Sequence, residues 1–166
     1  MNKLQIQEKY IIIIDDNMYY GSFKDEKPHG HCIKYFTNGI IEYNGEWKDG
    51  EYHGQGKWYY DDGNIAYNGE WKDGEYHGKG KAYVNGKLIY DGEYIDGIIN
   101  GKGKAYYEDG KLKYDGEYKD GWKDGKGKGY LCGILIYDGE WKDGDSNGKG
   151  KAYAYVNGIL IYDGEF

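Results

Sequence analysis

The sequence predicts an all-β protein: a single-layer antiparallel β-meander of stacked β-hairpins, elongated and twisted. Three observations in its 166 residues carry this expectation. The segment Tyr-Asn-Gly-Glu-Trp-Lys-Asp-Gly at 43–50 returns, with substitutions, at 67–74, 90–97, 114–121 and 137–144. Within each copy the residue character alternates every second position, the period of a strand. Gly dipeptides then punctuate the copies: Asp49-Gly50, Asp62-Gly63, Asn85-Gly86, Asp109-Gly110 and Asn157-Gly158. Such pairs favour tight hairpin turns, whose two central residues need positive φ.

In chain order, residues 1–18 read as an N-terminal strand or cap. The segment 10–14, Tyr followed by four Ile, is β-prone and uncharged, and Asp15-Asp16-Asn17 bounds it. The rival reading is the apolar core of a signal sequence, for which four Ile are too few. Residues 19–166 form the array, six repeats plus a terminal half repeat. A weaker copy opens it at Tyr19-Tyr20-Gly21-Ser22-Phe23, and Tyr162-Asp163-Gly164-Glu165-Phe166 supplies the half. One glycine column runs Gly21, Gly45, Gly69, Gly92, Gly116, Gly139, Gly164, in steps of 24, 24, 23, 24, 23 and 25. The length changes fall near the second turn of each repeat, where insertion costs least.

Composition narrows the function. The chain has 30 Gly, 22 Tyr and 1 Pro, and its 22 basic residues are all Lys. The net charge of −7 disfavours nucleic acid, whose binding rests on phosphate neutralisation, and disfavours anionic membrane lipid likewise. No apolar run approaches the roughly 20 residues that span a bilayer. Ser22, Ser146 and Thr37 are the only hydroxyl nucleophiles besides Tyr, and none lies in a catalytic motif, so no enzyme and no cofactor is expected.

A simple register places Trp47 opposite Gly56, Gly45 opposite Trp58 and Glu46 opposite Lys57, with Trp71 over Gly80 and Glu70 beside Lys81. One face then carries Ile41, Tyr43, Trp47, Trp58, Ile65, Tyr67, Trp71, Leu88 and Tyr90, and the other alternates Glu and Lys. The structural positions of the repeat are Tyr43, Gly45, Trp47, Tyr67, Gly69, Trp71, Tyr90, Tyr94, Tyr114, Tyr118, Tyr137 and Trp141. A lone sheet without a covering helix buries such a face only by strong twisting or against a partner, so association with a protein partner or with itself, as a homodimer, is expected.

Tyr35, Tyr59, Tyr83, Tyr106, Tyr130 and Tyr153 fall on the Lys/Glu face and are the candidate binding strip, since tyrosine joins rigid contact area to a hydroxyl. The competing reading has these rings cover Lys stems and stiffen the sheet. His29, His53 and His77 share one repeat position with Asn100, Asp124 and Asn147. Their copies stand roughly 10 Å apart, which suits a turn role and no metal site; His29 and His31 could pair, but nothing supplies further ligands. Cys32 and Cys132 stand four repeats apart, roughly 40 Å in an extended array, too far for a disulfide. Unpaired Cys fit a reducing, cytoplasmic setting. The Gly-x-Gly-Lys runs lack the helix and Ser/Thr of a phosphate cradle.

The run Tyr-x-Gly-Glu-Trp-Lys-Asp-Gly-x-x-His-Gly-x-Gly-Lys resembles the MORN repeat over about residues 19–166. Residues 107–114, Tyr-Glu-Asp-Gly-Lys-Leu-Lys-Tyr, are similar to the bacterial MORN variant of antitoxin-type proteins. Departures are Lys27-Pro28 before His29, Cys32 in a glycine position, and Trp122-Lys123-Asp124 for Glu-Tyr-His. The resemblance implies stacked β-hairpins and a non-catalytic scaffold for protein–protein interaction. Two alternatives accompany it: an acidic immunity or antitoxin protein against a basic toxin, and a lipid- or carbohydrate-binding repeat module.

Overall fold

The computed structural model describes residues 10–166; the first nine residues of the expected 1–18 cap segment lie outside the described residues. The fold is all-β, a single-layer antiparallel meander of hairpins, with fourteen strands and no helix among the described residues. The described residues divide into two compact units, 10–76 and 77–166. The first holds β1 (Tyr10–Ile14), β2 (Asn17–Lys24), β3 (Lys27–Tyr35), β4 (Ile41–Lys48), β5 (Glu51–Tyr59) and β6 (Ile65–Lys72). Strand β7 (Glu75–Val84) begins in the first unit and continues into the second. The second then adds β8 (Lys87–Ile95), β9 (Ile98–Tyr106), β10 (Leu112–Lys119), β11 (Trp122–Leu131), β12 (Ile134–Lys142), β13 (Asp145–Tyr153) and β14 (Leu160–Glu165).

Two kinds of turn alternate. The first is a two-residue hairpin: Lys48 pairs with Glu51 across Asp49-Gly50, both at positive φ (53° and 96°). The second absorbs the changes in repeat length. Tyr83 pairs with Leu88 and leaves four residues between them; Tyr59 pairs with Ile65 and leaves five; Tyr153 pairs with Leu160 and leaves six. These match the 23-, 24- and 25-residue steps of the glycine column.

The register departs from the simple one. Gly45 faces Gly56, not Trp58; Trp47 faces Tyr52, not Gly56; Lys57 faces Asn44, not Glu46. On the β5 side of its strand, Trp71 pairs with Gly54, which leaves the expectation of Trp71 over Gly80 untouched. The cause is a bulge. Between the pairs Trp47–Tyr52 and Gly45–Gly56, three residues (His53, Gly54, Gln55) stand against Glu46 alone. Gly54 takes φ +60°, and the Glu46 carboxylate occupies the space its missing Cβ leaves. In the second unit the equivalent glutamates also cap the bulge: Lys102 N donates to Glu93 Oε2 (2.8 Å) and Lys126 N to Glu117 Oε2 (3.3 Å). A second, one-residue bulge sits at Ala66, because Trp58 pairs with Tyr67 while Tyr59 pairs with Ile65. It moves Ile65, and likewise Ile41 and Leu88, off the aromatic face and onto the face of Tyr59, Tyr35 and Tyr83.

The core is therefore a plane. Tyr43, Tyr90, Tyr114 and Tyr137 each lie over a cross-strand pair of glycines; a Cβ at Gly56 would strike the Tyr43 ring. Tyr43, Tyr67 and Tyr114 are fully buried, and Trp47, Trp71, Tyr90, Tyr94, Tyr118 and Tyr137 nearly so. Most of these residues bond their polar atom inside the sheet. Tyr43 Oη donates to Glu46 O and Tyr67 Oη to Glu70 O, each at 3.0 Å, and Trp47 Nε1 donates to Cys32 O at 3.1 Å. Tyr43 stacks on Tyr52 (4.0 Å, 15°) and meets Trp47 and Trp71 edge-on at 5.2 and 5.3 Å. Cys32 takes a place in the glycine row, between Gly21 and Gly45, and its thiol donates to Ser22 O (2.7 Å). Ring packed on ring thus closes the aromatic face without a second layer.

Candidate interaction surface

The opposite face carries the six candidate tyrosines, and the structure adds partners the simple register missed. Directly across from each stands an aliphatic residue. In the first unit the pairs are Tyr35–Ile41 and Tyr59–Ile65; in the second, Tyr83–Leu88, Tyr106–Leu112, Tyr130–Leu135 and Tyr153–Leu160. All six tyrosines are half-buried. Each unit thus presents an apolar row with phenol groups at every second strand.

Beside that row runs a second one, and it differs between the units. In the second unit it alternates Lys81, Asp91, Lys104, Asp115, Lys128, Asp138, Lys151 and Asp163 in direct cross-strand register. Lys81–Asp91, Lys104–Asp115 and Lys128–Asp138 are ion pairs at 3.1, 3.2 and 3.1 Å. The hydrogen bond to each aspartate, then its charge, holds these ammonium groups above the ordinary lysine range. In the first unit the same row reads Ile33, Asn44, Lys57, Asn68. There a shallow hollow of about 300 Å³ opens along the glycine row, lined by His31, Asn44, Glu46, Gln55, Lys57 and Asn68 among others.

The histidines answer to the turns. His29, His53 and His77 place Nδ1 3.3, 3.6 and 3.3 Å from Asp49, Asp73 and Asp96 of the following hairpin turn. Asn100 reaches Asp120 in the same way, Nδ2 donating to Oδ1 at 3.3 Å. No group of three or more His, Cys, Asp or Glu able to hold a metal occurs among the described residues. Neither cysteine is in a disulfide; Cys32 is buried and Cys132 exposed.

Two polar clusters on the aromatic face escaped the sequence reading. In the first, Glu42 accepts from Lys34 Nζ (2.8 Å) and from Tyr52 Oη (3.1 Å), and both charged side chains are largely buried. Burial, then the Glu42 charge, pushes the Tyr52 hydroxyl far above the usual phenol range. The second cluster holds the same repeat positions in the second unit, where Lys113 replaces Glu42 and Lys123 replaces Tyr52. Lys123 Nζ lies 4.4 Å from the Trp141 ring centre and 5.1 Å from that of Tyr114; Lys113 Nζ lies 5.7 Å from that of Tyr107. Burial, then the nearby Lys113 charge, lowers Lys123 below the ordinary lysine range, while Asp145 partly offsets them. The signal for both clusters was a charged residue where sister repeats carry Ala66, Ile89 or Tyr76.

A family model described as the MORN repeat matches residues 19–41, 43–65, 67–87, 114–128 and 137–158, and one described as the MORN repeat variant matches 99–120. The matches cover more than half of the chain, which belongs to the MORN repeat family. Their starts at Tyr19, Tyr43, Tyr67, Tyr114 and Tyr137 coincide with the tyrosines that open the structural repeats. Among the six full copies, the one opening at Tyr90 has its first strand outside both models; it carries Ile95, Ile98 and Ile99 where its neighbours carry charged or aromatic residues. No match to a curated protein was found. Repeats of this family are typically interaction modules and generally non-catalytic.

Proposed function

We propose that the chain is a non-catalytic scaffold that binds a protein partner through the tyrosine–aliphatic row of its second unit, at Tyr83, Tyr106, Tyr130 and Tyr153. The observation that carries this reading is the contrast between the faces. The large rings of the aromatic face are spent on one another, and the hydroxyls of Tyr90, Tyr114 and Tyr137 are bonded inside the sheet. The tyrosines of the opposite row remain half-exposed, evenly spaced and flanked by an ion-pair ladder that orders their surroundings. Tyrosine supplies contact area at small entropic cost, and a paired charge rim deters nonspecific attachment.

Pull-down with the intact chain beside a Tyr106→Ala/Tyr130→Ala variant tests the reading, once both show matching circular dichroism and scattering mass. A protein held by the parent and lost by the variant supports it. An unchanged catch assigns the row to sheet stiffening. The net charge of −7 favours a narrower version, an immunity-type protein that covers a basic toxin. A strongly basic catch whose activity the chain suppresses would support that version.

A further inference from the structure

We propose that Lys113 and Lys123 form an anion site on the aromatic face of the second unit, and that it takes a carboxylate side chain from an acidic segment of a partner protein. The inference rests on the protein-binding reading above but uses the other face of the sheet.

The first unit shows what these repeat positions do when the ligand is built in. There the carboxylate of Glu42 sits among Tyr52, Lys34 and neighbouring rings, held by one ammonium and one phenol donor. In the second unit the acceptor position of that arrangement changes sign, and the neutral donor becomes a charged one. Lys113 stands where the carboxylate-bearing residue stood, and Lys123 stands in the place of the phenol, between the Tyr114 and Trp141 rings. Ala105 occupies the place of Lys34. The second unit thus keeps the ring framework and supplies ammonium donors, but brings no carboxylate of its own into ion-pair contact: neither Lys113 nor Lys123 belongs to any of the ion pairs of the described residues, although Lys81, Lys104, Lys111, Lys128 and Lys151 all do.

Electrostatics supports the same assignment. A half-buried ammonium repelled by a second one is relieved by an incoming anion, which gains two charge-assisted contacts beside rings that exclude water. Asp145 attracts Lys123 without forming an ion pair, so the positive charge is only partly compensated. A carboxylate is assigned because the anion held at the matching positions of the first unit is itself a glutamate carboxylate.

The test is a calorimetric titration of the full chain with a blocked peptide of alternating glutamate and alanine, with inorganic phosphate at matched ionic strength as the second arm. Expected is saturable peptide binding that weakens about tenfold or more in Lys113→Gln/Lys123→Met and is unchanged in Lys102→Gln, a lysine of the opposite face. In the parent, the Lys123 side-chain amine, followed by NMR, should titrate at higher pH with peptide than without. Equal binding by the parent and the double variant overturns the proposal, as does an absence of peptide binding. Phosphate binding of equal strength at the same lysines overturns the carboxylate assignment. A partner captured through Tyr106 and Tyr130 but indifferent to Lys113 and Lys123 leaves the scaffold reading standing while this inference falls.

Discussion

Tyr67 has no exposed surface, yet its hydroxyl donates to Glu70 O at 3.0 Å. One side chain thereby fills the aromatic layer and satisfies a backbone carbonyl at the bulge. Tyr67→Phe should keep the ring packing and lose that bond, lowering stability by about 1 kcal/mol in urea denaturation. Gly56→Ala should do more harm despite its small size. The added methyl has nowhere to go but into the Tyr43 ring, and overpacking of this kind costs about 3 kcal/mol. A smaller loss for Gly56→Ala than for Tyr67→Phe would refute the ring-over-glycine account.

The hairpin is the element of this fold, and its turns were legible only in part, because Asp62-Gly63, Asp109-Gly110 and Asn157-Gly158 lie in five- and six-residue connections where the glycine alone takes positive φ. Asp49-Gly50 and Asn85-Gly86 announced two-residue turns, and both residues of each take positive φ. The strand pairing was not legible, because period-two alternation says nothing of a three-against-one bulge. His53-Gly54-Gln55 opposite Glu46 reads in sequence as ordinary strand, yet it shifts every partner beyond it by two positions. The bulge at Ala66 likewise hid the fact that Ile65 belongs with Tyr59. The candidate strip was legible as a column of tyrosines; its aliphatic partners were not. One turn offers a test at this scale. Asp25 and Glu26 both adopt left-handed backbone, φ 50° and 62°, without a glycine between them. Asp25→Asn with Glu26→Gly should stabilise the chain by about 0.5–1 kcal/mol, seen as a higher urea midpoint.

At the scale of the whole molecule, stability depends on keeping phenols neutral. Burial pushes Tyr43, Tyr52, Tyr90, Tyr114 and Tyr118 well above the usual range for tyrosine. In the unfolded chain these groups ionise near pH 10, so the raised folded values contribute stability that is complete below that pH and lost as pH rises above it. Urea midpoints should therefore hold steady from pH 7 to 9 and drop steeply between about pH 10 and 12. A flat profile across that upper range would show that the phenols are not withheld from ionisation.

The four-, five- and six-residue connections all lie at the same point of the repeat, between a row tyrosine and the aliphatic residue across from it. They act like the bound margin of a ledger. Pages of unequal width can be sewn in there while every printed line stays level. A lineage carrying such an array can gain, lose or exchange whole repeats, or graft a short foreign peptide into one margin, without misaligning the columns on either face. Diversity of this architecture should accordingly accumulate by the copying of repeats more readily than by change within a strand.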